Sequence, residues 1–190
     1  DTYNLIGSGR TWYGQEFKPS ESSSYQFNFA NLILNEPLKL RVNIAGRREK
    51  GSPKSYFNIA YNSKEVGNIF IDNYYGTYTY AYEYFGVYNI EAESPNLSLT
   101  LTLKEGYPTT KGYLDYLCLN ARENLKLKDG QLLFRDKRTA STGNVTSFTF
   151  KNQNSELFIW DVTTITNPVA IKTNHANGDY SFKSTTDTLN

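Results

Sequence analysis

The chain has 190 residues, and its 20 basic and 19 acidic side chains leave a formal net charge of only +1 at pH 7. This balance argues against a nucleic-acid-binding protein, because such proteins neutralise phosphates with clustered Lys and Arg. No apolar run approaches the roughly 20 residues that span a membrane as a helix, and no signal peptide is recognisable. The sequence contains no Met, so we expect Asp1 to be the product of processing or the start of a fragment.

Aromatic and turn-forming residues dominate the composition. The chain has 16 Tyr and 11 Phe residues, which together with Thr fit pleated sheets, whereas Asn and Gly favour the turns between strands. The one cysteine, Cys118, excludes a disulfide framework and a Cys-rich zinc site. The composition predicts an all-β protein.

Alternation of apolar and polar residues predicts half-buried strands along most of the chain. The clearest are residues 25–29, 38–44 and 97–103, and shorter candidates are residues 57–61, 67–71, 146–150, 157–162 and 180–183. Asp129-Gly130 and Asn177-Gly178 have the composition of tight hairpin turns. About ten to twelve strands at regular spacing predict a single domain over residues 1–190, a β-sandwich or jelly-roll-like fold.

Two of these segments carry large side chains on both strand faces. They are residues 113–119 and 157–162. A strand that is apolar on both faces lies centrally in a sheet or under a covering layer. We therefore expect both segments to be central or to be covered by a neighbouring domain.

Cys118 and His175 are the one pair that could form a thiol nucleophile with its base. Cys118 lies in Leu117-Cys118-Leu119, inside a predicted strand where a thiol is usually a small buried side chain. His175 lies in an Asn-rich loop. We therefore predict no catalytic residue of this type.

Carboxylates are the other candidates for chemistry. Glu91, Glu93 and Glu105 could supply the acid pair of a glycoside hydrolase, but their spacing is not diagnostic. Asp72 or Asp179 could bind calcium from a loop, although no motif accompanies them. We predict no catalytic residue, no metal site and no cofactor.

The most unusual segment runs from Tyr74 to Tyr88, where seven of the fifteen residues are tyrosines. Period-2 alternation places Tyr78, Tyr80, Tyr82 and Tyr84 on one strand face. Such a row of rings suits stacking against a sugar or contact with another protein. It also suits a sheet face that is covered by the protein's own loops or by the next domain.

Four further blocks are distinctive, and they occur in a fixed order. Residues 8–17 read SGRTWYGQEF, residues 112–120 read GYLDYLCLN, residues 131–135 read QLLFR and residues 158–163 read FIWDVT. These blocks resemble the SGRxWYGExF, YLDYIxxN, LxFR and IWDVT patterns of the PorU family. Gln15 stands where the family has Glu, and Ala121 and Glu123 stand where an aromatic and a basic residue are common.

The resemblance covers nearly the whole chain and implies that this region is non-catalytic. PorU proteins are outer-surface components of the type IX secretion system of Bacteroidetes. They are related to gingipain cysteine peptidases and act as sortases that remove the C-terminal sorting domain of cargo. Their catalytic His and Cys lie downstream of the fourth block, in a peptidase domain that this chain lacks, so Cys118 does not correspond to the nucleophile.

The resemblance thus implies the N-terminal, non-catalytic region of a cell-surface peptidase, associated with the outer membrane. Its expected partners are the downstream peptidase domain, secretion-system subunits and the C-terminal domains of cargo. Trp12, Tyr13, Trp160 and Asp161 are the predicted contacts with other domains, although they could equally be core and turn residues. The alternative function is a carbohydrate-binding module whose platform is the tyrosine row.

Overall fold

The structure is a computed structural model that describes residues 2–5, 11–74, 79–127, 129–151 and 156–186. The chain divides into two compact units, Asp1–Glu123 and Asn124–Asn190, and each is described by itself. Within the described ranges no helix is long and apolar enough to cross a membrane. The prediction that residues 1–190 form a single domain stays a prediction.

The first unit contains eight strands. They are β1 (Gln15–Phe17), β2 (Ser22–Asn28), β3 (Leu38–Arg47), β4 (Ser55–Tyr61), β5 (Lys64–Ile71), β6 (Tyr82–Ile90), β7 (Asn96–Lys104) and β8 (Lys111–Asn120). They form two four-stranded sheets with the orders β1-β8-β3-β6 and β2-β7-β4-β5. All of the strand pairs are antiparallel.

The pairing has the pattern of a jelly roll. β1 pairs with β8, β2 with β7, β3 with β6 and β4 with β5, as if one long hairpin had been wound into two sheets. Two further pairs, β3 with β8 and β4 with β7, complete the sheets. The predicted all-β, jelly-roll-like fold is confirmed.

The core of this unit lies between the two sheets and follows from the alternation of the sequence. Strand β7 buries Leu97, Leu99, Leu101 and Leu103, each of which is at most 1% exposed. Strand β3 contributes its own apolar residues to the same cluster from the opposite sheet. Since successive side chains of a strand point to opposite faces, one face of each sheet forms the core and the other lies outside it.

The second unit is built from shorter elements. They are a 3₁₀ helix (Lys137–Thr139) and the strands β9 (Val145–Phe150), β10 (Ile159–Asp161), β11 (Val169–Ile171), β12 (Asn174–Ala176) and β13 (Asp179–Thr185). The strand orders are β12-β13-β9 and β10-β11. A small core forms around Phe150, Tyr180 and Phe182.

The described residues thus form thirteen strands, slightly more than expected. Both predicted turns have the positive φ angles that a tight hairpin turn requires, at Asp129 (53°), Gly130 (80°), Asn177 (53°) and Gly178 (82°). Asn177-Gly178 joins β12 to β13. No described strand flanks the Asp129-Gly130 turn, so the hairpin expected there is reduced to its turn.

Candidate functional site

The first two sequence blocks lie side by side in the structure. Strand β1 comes from the first block and β8 from the second, and they pair with Glu16 opposite Tyr113 and Phe17 opposite Gly112. Residues 8–10 of the first block lie outside the described residues. The pairing places Glu16 of the first block beside Tyr113 of the second on the outer face of the sheet.

A cluster of tyrosines and charged residues covers one end of this outer face. We call it the tyrosine–carboxylate cluster, and it consists of Tyr13, Glu16, Tyr80, Glu83, Lys111 and Tyr113. The rings of Tyr13 and Tyr113 lie 5.9 Å apart and pack on Ala45 of β3. Sequence reasoning selected Tyr13 and Tyr80 but had no signal for the other members, because they come from distant strands.

Tyr13 is almost fully buried within the cluster. It is only 4% exposed, and its hydroxyl donates a 3.0 Å hydrogen bond to Oε1 of Glu83. Burial, and then the interactions with Glu83, hold the pKa of Tyr13 well above its usual value of 10.0. The phenol therefore stays protonated at neutral pH and acts as a hydrogen-bond donor.

The two opposite charges of Lys111 and Glu16 form an ion pair within the cluster. Lys111 Nζ lies 3.0 Å from Glu16 Oε2 and 3.1 Å from Oε1, and the hydrogen bond to Glu16 raises the pKa of Lys111. Burial is the main cause that raises the pKa of Tyr113, followed by its hydrogen bond with Tyr80. With protonated Tyr13 and Tyr113 and a Lys111–Glu16 ion pair, this arrangement suits stable packing and recognition rather than proton transfer.

The structure places the tyrosine row in different environments. Tyr78 lies outside the described residues. Tyr80 precedes β6 and lies under the Arg47 guanidinium, 4.5 Å from the ring centroid. Tyr82 and Tyr84 belong to β6 and are half-buried, and the Tyr84 hydroxyl accepts a 2.9 Å hydrogen bond from the backbone N–H of Asp72. Sugar binding by this row stays a prediction.

Strand β6 exposes its opposite face instead. Phe85 is 62% exposed, and the guanidinium of Arg41 lies over its ring at 4.8 Å. A cleft of about 410 Å³ runs beside it, lined by Asn68, Ile69, Phe70, Glu83, Tyr84, Phe85 and Tyr88. Sequence reasoning missed this cleft, although the alternation that groups Tyr82 with Tyr84 already places Phe85 on the other face.

The fourth sequence block presents an apolar surface on the second unit. Phe158, Trp160 and Val162 are 77%, 54% and 44% exposed, and alternation places them on the outer face of β10 and its flanks. We call these three residues the β10 strip. The alternate residues, Leu157 and Ile159, pack on the core of the unit. Within the described residues β10 pairs only with β11, so it is an edge strand and not a central one.

The remaining predicted interface residues differ in exposure. Trp12 is 49% exposed. Asp161 is exposed, and its Oδ1 accepts a 2.9 Å hydrogen bond from the backbone N–H of Thr163. Hydrogen bonding from Thr163 lowers the pKa of Asp161, which keeps this turn-forming carboxylate ionised. Contacts of these residues with another domain stay a prediction.

The expected burial of Cys118 is wrong. Cys118 is exposed because β8 turns it to the outer face, opposite Arg41. His175 belongs to the second unit, where its ring stacks on Tyr180 with centroids 4.2 Å apart. The described residues contain no group of three His, Cys, Asp or Glu side chains arranged to hold a metal ion.

The glutamates considered for glycoside chemistry have separate surroundings. Glu93 forms an ion pair with Lys64. Glu105 has a positive φ of 58° at the end of β7. Glu91 is exposed in the loop between β6 and β7. No interaction among the described residues joins any two of them.

Comparison with solved structures identifies a similar fold. The crystal structure of dimeric latent PorU from Porphyromonas gingivalis superposes with a TM-score of 0.80 over 93% of this chain, at 11% sequence identity. This chain corresponds to 17% of that one. Neither a protein-family model nor a curated protein sequence matches this chain.

Other structures resemble only part of the chain. The insecticidal delta-endotoxin Cry8Ea1 from Bacillus thuringiensis has a TM-score of 0.43 at 13% identity, covering 57% of this chain and 19% of its own. A carbohydrate-binding module, CBM36 in complex with calcium and xylotriose, has a TM-score of 0.40 at 16% identity, covering 59% of this chain and 91% of its own.

Proposed function

We propose that this chain is the N-terminal, non-catalytic part of a PorU-like cysteine peptidase or sortase of the type IX secretion system. In this role it supports the downstream peptidase domain or positions cargo and partner subunits at the bacterial cell surface. The observation that carries the proposal is the fold shared with PorU over 93% of this chain. The four sequence blocks, which occur in the family's order, support it independently.

The β10 strip is consistent with a domain that contacts another domain of the same protein. Three large apolar side chains, Phe158, Trp160 and Val162, are exposed on one strand face. Contiguous exposed apolar residues mark surfaces that bind another protein surface, and Trp is among the residues that contribute most there. We therefore assign the strip to contact with the following domain of a longer chain.

The first test is to read the gene downstream of the codon for Asn190. The proposal expects a gingipain-type peptidase block that contains a His and a Cys. A stop codon, or a glycoside hydrolase domain at that position, would overturn it. The result also decides the alternative, because a glycoside hydrolase neighbour favours a carbohydrate-binding module.

The second test concerns the β10 strip in that longer chain. Trp160→Ser should leave the thermal unfolding of residues 1–190 unchanged but should speed limited proteolysis between this region and the peptidase domain. Val145→Ser is the matched control, since Val145 is 61% exposed in the same unit and lies outside the strip. Equal proteolysis of both variants and the wild type contradicts the assignment of the strip.

The carbohydrate-binding alternative makes a separate prediction. It requires glycan affinity that is lost on removing a ring of the tyrosine row. Tyr82 is the suitable position, because Tyr80 packs on the tyrosine–carboxylate cluster and Tyr84 on the core, so removing either ring would also disturb the fold. Glycan-array binding that disappears in Tyr82→Ala, with unfolding unchanged, would favour the alternative over the PorU-like role.

A further inference from the structure

Strand β6 lies at the edge of its sheet and is long and regular. It pairs with β3 from Tyr82 to Ile90 without a shift of register. The sheet order β1-β8-β3-β6 leaves its other side without a hydrogen-bonded strand among the described residues, and the nearest strand there is β5 of the other sheet. Along that side, alternate residues direct backbone N–H and C=O groups away from the sheet.

Apart from the exposed carboxylate of Glu83, the features that normally protect an edge strand are missing from β6. Its sequence, YEYFGVYNI, has no Lys and no Pro, and its ladder contains no bulge. The opposite edge strand, β1, is only three residues long. Strand β5 begins with Lys64 and Glu65 and has an irregular register against β4. Short or bulged edges resist the addition of another strand, so β6 differs in length from β1 and in regularity from β5.

The cleft lies beside this unprotected edge. Its lining includes Phe85 of β6 and Phe70 of β5, which are 62% and 56% exposed. Tyr84 and Tyr88 form part of its lining, and their hydroxyls are already bonded to the backbone of Asp72 and Asn68. The cleft therefore offers apolar surface rather than free hydroxyl groups.

The cleft has one charged lining residue among those described, Glu83, and the guanidinium of Arg41 lies next to the cleft, over the Phe85 ring. Burial raises the pKa values of Tyr84 and Tyr88, so both phenols are neutral at pH 7. Among the lining residues that the structure describes, Glu83 is the one with an acidic side chain, and none is basic. A basic side chain of an incoming ligand would thus meet a complementary charge at the Glu83 end.

We propose that β6 binds an extended peptide from another protein as an additional strand of the sheet. The backbone groups that β6 directs away from β3 repeat at the spacing of a strand, so another extended backbone is the ligand that can satisfy them in sequence. One set of the peptide's side chains enters the apolar cleft, and the other set lies beside Phe85 and Val87. A Lys or Arg of the peptide pairs with Glu83. This inference does not depend on the function proposed above.

The test selects peptides and then locates their binding site. A phage-displayed library of random peptides as long as β6 is selected on the immobilised 190-residue chain. We expect enriched sequences with apolar residues at alternate positions and at least one Lys or Arg. Their affinities are then measured by fluorescence anisotropy on the wild type and on two variants, Val87→Lys and Tyr116→Lys.

The two variants distinguish binding at the β6 edge from binding elsewhere on the outer face of the sheet. Val87 is 49% exposed on β6, and Tyr116 is 40% exposed on β8 of the same sheet. A lysine on the edge strand should weaken binding by about tenfold or more, whereas Tyr116→Lys should leave it unchanged. N-methylation of alternate peptide amides should abolish binding, because it removes the backbone donors. Glu83→Gln should weaken only the peptides that carry Lys or Arg.

Three results would overturn the proposal. One is the absence of enriched peptides, and another is equal binding by the wild type and Val87→Lys. The third is a dimer, detected by sedimentation velocity, that dissociates in Val87→Lys but persists in Tyr116→Lys. That outcome would assign the edge to a second copy of this chain.

Discussion

The hydroxyl of Tyr13 donates a hydrogen bond to Glu83 over a sequence separation of 70 residues. Tyr13 lies just before β1 and Glu83 lies on β6, so the bond joins the two opposite edges of one sheet across β8 and β3. Ala45 of β3 is the register partner of both Glu83 and Tyr113. Its small side chain leaves room for the Tyr13 ring, which covers it.

Removing the Tyr13 hydroxyl should weaken the fold. We expect Tyr13→Phe to lower the free energy of unfolding by about 1 kcal/mol, because the ring packing stays and only the hydrogen bond to Glu83 is lost. Urea denaturation followed by circular dichroism measures the change. Glu83→Gln is the control, since an amide oxygen can still accept the bond, and it should cost less. An unchanged midpoint for Tyr13→Phe would show that the bond contributes nothing.

The buried tyrosines should make the fold sensitive to alkali. The pKa of Tyr13 in the folded chain lies above its unfolded value of 10.0, and burial acts in the same direction on Tyr113. Above pH 10 the unfolded chain therefore loses phenolic protons that the folded chain retains, and the free energy of unfolding falls as pH rises.

Denaturant titrations at increasing alkaline pH test this dependence. The midpoint should fall steadily above the unfolded pKa of tyrosine, and the fall should be shallower in Tyr13→Phe because one contributing group is gone. Tyr107→Phe serves as the control, since Tyr107 is 49% exposed. The same slope in Tyr13→Phe and in the wild type would contradict the assignment to Tyr13.

Gly112 should not tolerate a side chain. A Cβ at this position of β8 would overlap the ring of Phe57, which is fully buried in the core. We expect Gly112→Ala to lower the free energy of unfolding by about 1–3 kcal/mol, because the core must shift to admit the methyl group. A double-mutant cycle with Phe57→Leu should show less than additive loss. Full additivity would mean that the two side chains do not compete for space.

The thiol of Cys118 should react in the folded protein. It is exposed on the outer face of β8, where its sulfur accepts a weak 3.8 Å hydrogen bond from the Asn120 amide. We expect a disulfide reagent such as DTNB to modify it without denaturant, at a rate within about an order of magnitude of the unfolded chain. Cys118→Ser provides the blank. Reaction only after unfolding would mean that the Cys118 thiol is buried in the folded protein.

Much of the strand structure could be predicted from local sequence. The alternating leucines of β7 and the residues 38–44 of β3 form strands whose apolar positions are the buried ones. The turn at Asn177-Gly178 follows because Asn and Gly accept positive φ angles at little cost. These features depend on neighbours within a few residues, so a single sequence contains the information.

The environment of the candidate sites could not be predicted in the same way. Strand β6 carries aromatic residues at positions of both faces, and alternation alone does not say which face is covered. Cys118 lies between Leu117 and Leu119, so a buried thiol was expected there. Because side chains alternate along a strand, Cys118 points to the face opposite to that of the two leucines. The β1–β8 pairing that assembles the tyrosine–carboxylate cluster joins segments from opposite ends of the first unit.

The sequence by itself therefore determined that this chain is a β-protein, where its main strands lie and which turns close tightly. The tertiary structure decided that Tyr84 faces the core while Phe85 faces outward, that Tyr13 reaches Glu83, and that β6 stands at an edge beside a cleft. The physical reason is the range of the interactions. Alternation and turn chemistry act between near neighbours, whereas the covering of a strand face depends on which distant strands the jelly-roll winding brings against it.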